Sequence, residues 1–174
     1  IDESGYFVCN NWWENTDTQA VMCMGAIKGE KISNAEIISN AIKILTGRKE
    51  YGYCKGIAAY DAWKSALKKD SDFMVSDNLF VLFEKMLCQM DAMTCVTDGR
   101  INAAKFFRKL AETGETNKEK SNKIADAFTK CAKTVEQMQA LFGDMSDMEG
   151  MLKKLADKSV RDEVCKLIDI AKES

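Results

Sequence analysis

The sequence predicts an all-α protein of about eight helices, and three observations carry that expectation. No proline occurs in its 174 residues, so nothing in the chain removes a helical donor. Apolar residues recur at three- and four-residue spacing, the period of a helix face. Glycine closes several of these periodic stretches, as at Thr46-Gly47, Thr113-Gly114 and Phe142-Gly143.

The elements follow in order. Residues 1–16, with Trp12 and Trp13 among Asn and Gly, show no period and read as an irregular arm. Ala20, Val21, Met24 and Ile27 fit a first helix over 17–28. Ser33 with Glu36 forms a capping box for a second, which Gly47 closes. A third runs from Lys55 to Lys69, with Ala59, Ala62, Trp63 and Ala66 on one face and lysines in its last turn. The fourth, over 77–93, is apolar nearly all round and is the expected centre of the core. Asp98-Gly99 reads as a turn before a fifth helix over 102–113. A sixth covers 118–142. Ser146 with Glu149, and Ser159 with Asp162, read as capping boxes for a seventh and an eighth, the last reaching Lys172.

Seven cysteines add a second pattern. Cys54 and Cys88 have 33 residues between them, and so do Cys131 and Cys165. Cys23 precedes the first pair and Cys95 the second at similar distances, which suggests two duplicated helical halves, 17–93 and 94–174, sharing one core in a single domain. The equal spacing favours bridges Cys54–Cys88 and Cys131–Cys165, each contributing roughly 3–4 kcal/mol, with Cys9–Cys23 as a third pair. Cys95 is then the odd thiol, available for a dimer. Stapling of this kind implies a secreted, extracellular protein. The competing reading is seven reduced cysteines used as small core residues.

Composition excludes more than it suggests. With 25 basic and 27 acidic residues there is no basic excess to hold a nucleic acid. Histidine is absent, which removes the usual general base and the commonest zinc ligand. No catalytic constellation, metal site or cofactor loop is expected. The longest strongly apolar run, Leu79–Phe83, is too short to span a membrane. Asp98-Gly99-Arg100-Ile101-Asn102 copies the middle of a calcium loop, but Val96 and Lys105 stand where ligands are needed.

Ten methionines mostly fall at apolar helix positions. Core filling is one reading; a deformable ligand pocket is the other. In the second, Trp63, Phe80, Phe83, Met86, Met90, Phe106, Phe107 and Phe128 line a cavity among the fourth to sixth helices.

The cysteine spacing from Cys54 through Cys88 to Cys131, with the Asp98-Gly99-Arg100-Ile101 turn, resembles the insect odorant-binding and D7 salivary protein superfamily over residues 54–131. That resemblance implies a secreted, disulfide-stapled helical carrier of small hydrophobic or amphipathic ligands. The alternative expectation is a secreted or surface helical module that engages a protein partner, with Trp12 and Trp13 as contact residues.

Overall fold

The computed structural model describes residues 32–47, 52–74 and 79–174, together with the backbone of 49–50. The helix expected over 17–28, Trp12, Trp13, Cys9 and Cys23 lie outside the described residues. Contacts divide the chain into residues 1–37 and residues 38–174. Of the first stretch the described part is residues 32–37, where Ser33 Oγ accepts from the Glu36 amide at 3.2 Å, as its capping box requires.

Six α-helices occur among the described residues: α1 (Asn34–Thr46), α2 (Ile57–Leu67), α3 (Leu79–Thr113), α4 (Lys118–Phe142), α5 (Met148–Ala156) and α6 (Lys158–Glu173). The all-α expectation holds, apart from a small antiparallel pair of strands, β1 (Lys49–Glu50) and β2 (Tyr53–Cys54). None of these helices is long and apolar enough to cross a membrane.

The second stretch is built on the α3–α4 hairpin. Gly114, at φ 73°, leaves α3 in the left-handed region, and Asn117 caps α4 by accepting from the Lys120 amide at 2.9 Å. Cross-links between Arg108 and Asn122 at 3.0 Å and between Gln139 and Thr94 at 3.4 Å show the antiparallel pairing. Two separate helices were expected here, over 77–93 and 102–113, with a turn at Asp98-Gly99. They are one helix of 35 residues. The reason is packing: Met93 and Thr97 before Gly99 and Ala104 after it are buried along one helix face, four and then seven residues apart, on the helix that pairs with α4. An internal glycine costs about 1 kcal/mol, which a continuous interface outweighs.

Fully buried Met86, Met93, Met138, Met151, Leu155 and Ile168 form the centre of the core. Here the core-filling reading of methionine holds, whereas Met74 and Met145 are exposed. The predicted caps of the last two helices shift slightly. Asp147, not Ser146, caps α5 by accepting from Gly150 at 2.9 Å, and Asp157, not Ser159, caps α6 by accepting from Ser159 at 2.7 Å. Aspartate carries the full charge that a helix N-terminus favours.

Arg161 of α6 is buried to 2% exposure and ties these elements together. It donates to Leu67 O at 3.1 Å, Leu155 O at 2.9 Å and Ala156 O at 2.7 Å, carbonyls that end α2 and α5. Its remaining nitrogen meets Asp70 Oδ1 at 2.6 Å.

The cysteines require a correction. All five described cysteines are free thiols, so neither Cys54–Cys88 nor Cys131–Cys165 is bridged in this structure. Cys54, Cys88 and Cys95 are exposed, while Cys131 and Cys165 are buried as small core residues. Cys131 Sγ faces Tyr60 Oη at 3.7 Å, and Cys165 Sγ faces the Lys64 carbonyl at 3.8 Å. The boundary between the suggested halves, at 93/94, falls inside α3.

Candidate functional site

α1 ends in an apolar face that the fold leaves largely uncovered. None of its side chains is buried, yet Ile38, Ala41, Ile42 and Leu45 lie at helical spacing. Gly56 holds its C-terminal end beside α2. At φ 60° a side chain is disfavoured there, and any Cβ would collide with the carbonyls of Ile44 and Leu45. The approach is close enough to put Leu45 against three clefts.

The clefts neighbour one another and share lining residues. One, of about 410 Å³, lies among Leu45, Ala59, Tyr60, Trp63, Val96 and Arg100. A second, of about 220 Å³, is bounded by Leu45, Tyr60, Arg100, Ile124, Phe128 and Cys131. A third, of about 350 Å³, lies under Ile38, Ile42 and Leu45 and against Phe107, Ile124 and Phe128. Leu45 touches all three, Tyr60 and Arg100 the first two, and Ile124 and Phe128 the last two. Pockets of this size and lining suit small apolar ligands.

Arg100 and Tyr60 form a polar point shared by the first two clefts. Arg100 of α3 donates through Nη2 to Tyr60 Oη at 3.1 Å, and its guanidinium lies 5.6 Å from the centre of the Phe128 ring. Burial pushes the Tyr60 phenol above its ordinary value of 10.0, an effect that the Arg100 cation partly offsets. The aromatic wall is rigidly built: Phe107 stacks on Phe128 at 5.9 Å, and Phe106 meets Phe107 edge-on at 5.4 Å. Trp63 is oriented by donating to Gln89 Oε1 at 2.6 Å.

Of the eight residues expected to line a cavity, Trp63, Phe107 and Phe128 do so in these clefts. Phe106 supports Phe107 from behind. Met86 is sealed in the core and Met90 packs against it, so neither opens onto a cleft. Phe83 is half-buried and Phe80 exposed near the start of α3, away from the groove. Sequence reasoning missed Tyr60, Arg100, Leu45 and Ile124. A signal for Arg100 existed: it continues the run Met93, Thr97, Ala104 at three- to four-residue steps, so a continuous helix puts its charge on an apolar seam.

A larger hollow of about 640 Å³ between α3 and α4 carries both signs of charge, including Lys105, Arg108, Glu112 and Glu136. Its lining holds four cations, with Lys109 and Lys133 beside Lys105 and Arg108, against two carboxylates. No group of acidic and cysteine side chains able to hold a metal occurs among the described residues. Comparisons with family models, with curated proteins and with solved structures give no significant match.

Proposed function

We propose that this chain binds small hydrophobic or amphipathic molecules, as a carrier or scavenger, in the groove between α1 and the α2–α3–α4 surface. One observation carries the reading: α1 presents an apolar face over three neighbouring apolar clefts and buries none of its own side chains. A guest would cover what the protein leaves uncovered, and the helix over it is the natural point of entry. The ligand class agrees with that implied by the odorant-binding resemblance, but the proposal does not depend on it, since the Asp98–Ile101 turn is helical here and the described cysteines are free.

The test is titration with the neutral dye phenylnaphthylamine, whose fluorescence rises in apolar surroundings. Saturable binding is expected, lost on Ala41→Trp, which fills the third cleft, and on Phe128→Asp. Absence of saturable binding would refute the carrier reading.

A second reading, a helical module that engages another protein, is favoured by the exposed Leu79, Phe80 and Val81 at the start of α3. Phe80→Ser separates the two. Under the carrier reading it leaves dye binding unchanged.

A further inference from the structure

Charge in the groove is one-sided. Among the described residues, no Asp or Glu side chain lines any of the three clefts, while Arg100, Lys172 and Lys120 do. The three cations are not equivalent. Lys172 is already paired with Asp61 at 2.7 Å, and Lys120 is exposed. Arg100 is half-buried where the first two clefts meet, and its partners are the Tyr60 phenol, the Cys131 thiol and the Phe128 ring. No carboxylate lies within ion-pairing distance of it among the described residues.

A guanidinium removed from water without a counter-charge is costly. It also carries five donors, of which one meets Tyr60 and another the Cys131 thiol, and neither partner is an anion-matching acceptor. A carboxylate offers the matching two-oxygen acceptor, and a planar guanidinium binds it through paired N–H···O bonds. Beside that point the groove continues as hydrocarbon and aromatic wall, from Leu45 to Ile124, Phe128 and Phe107. Head and tail requirements therefore sit side by side.

Resting on the carrier reading, we infer that the ligand is an anionic amphiphile of the fatty-acid type. Its carboxylate binds Arg100 beside Tyr60, and its alkyl tail lies along the cleft between α1 and the Phe107–Phe128 wall. Arg100 is the residue that selects the head group; the aromatic wall supplies affinity without selecting charge.

The experiment displaces phenylnaphthylamine with three ligands of equal chain length: dodecanoate, dodecanol and dodecylamine. The expected order is acid, then alcohol, then amine, with the acid binding about tenfold tighter than the alcohol. Arg100→Gln should remove the acid's advantage, read as the ratio of dodecanoate to dodecanol affinity within the variant, with the helical circular dichroism at the parental value. Arg100→Lys, keeping charge without the fork, should restore part of it. An alcohol equal to the acid, an amine that binds best, or an Arg100→Gln variant that keeps the acid preference would overturn the head-group assignment while leaving the carrier reading intact. Failure of the dye and of all three ligands to bind would remove both.

Discussion

The Arg161 guanidinium lies 4.6 Å from the centre of the Phe73 ring, against which it stacks while donating to the carbonyl ends of α2 and α5. Phe73 is itself buried, so the cation is enclosed by one aromatic face, three carbonyls and one carboxylate. Each donor replaces a water that the helix ends otherwise need.

Removing that side chain leaves three carbonyls without their partner. Arg161→Met is expected to cost about 3 kcal/mol or more in urea denaturation. Asp70 is more than half exposed, so its share is screened by water. Asp70→Asn should cost no more than about 1 kcal/mol. Equal losses in the two variants would show that the ion pair, and not the carbonyl clamp, is the important part.

Two glycines give opposite expectations. Gly56→Ala meets a positive φ and two carbonyls, and should destabilise by about 1–3 kcal/mol while weakening dye binding in the cleft that Leu45 lines. Gly99→Ala lies in the middle of α3 with open space around it, and should stabilise by about 0.5–1 kcal/mol. Thermal melts of both variants decide the matter. A loss of stability in Gly99→Ala would mean that Asp98-Gly99 forms the turn its sequence suggests.

That contrast shows how the fold was and was not legible. The ends of α1 and α4 could be read directly, because Ser33, Gly47 and Gly143 are local signals acting within one turn. The union of two expected helices into α3 could not, since Asp-Gly looks like a turn and the interface that overrides it is formed by α4, far away in sequence. The groove was half legible for the same reason. Phe107, Phe128 and Trp63 announce themselves as apolar positions, whereas Arg100 acquires its meaning only from Tyr60, 40 residues earlier.

Thiol reactivity follows exposure. In the folded protein Cys54, Cys88 and Cys95 should react rapidly with an aromatic disulfide reagent, and Cys131 and Cys165 only on unfolding. Burial also pushes the Cys165 thiol up, which slows it further. Cys88→Ser should change stability by less than about 0.5 kcal/mol, where loss of a staple closing its loop to Cys54 would cost roughly 3–4 kcal/mol. A mass after alkylation without reductant that lacks these labels would restore the bridges.

The buried Tyr60 phenol sets a limit at high pH. Its folded pKa is raised above 10.0, so the folded state holds the proton longer than the unfolded chain. The stability tied to it is whole below pH 10 and falls as pH climbs through the raised value. Tyr60→Phe should flatten that fall relative to the parent protein in denaturation series taken above and below pH 10. Parallel slopes for the two proteins would argue against a buried, protonated Tyr60.

The unbroken course of α3 has one more effect, on how the sequence can vary. The helix carries Met86 of the core and Arg100 of the groove on a single axis, with about 100° of rotation per residue between consecutive positions. Deleting one residue between them would turn Arg100 through that angle while the core kept its own setting. The stretch between Met86 and Arg100 therefore tolerates substitutions on its outer face but not a change in its length, and whatever alters the groove must do so by replacing residues.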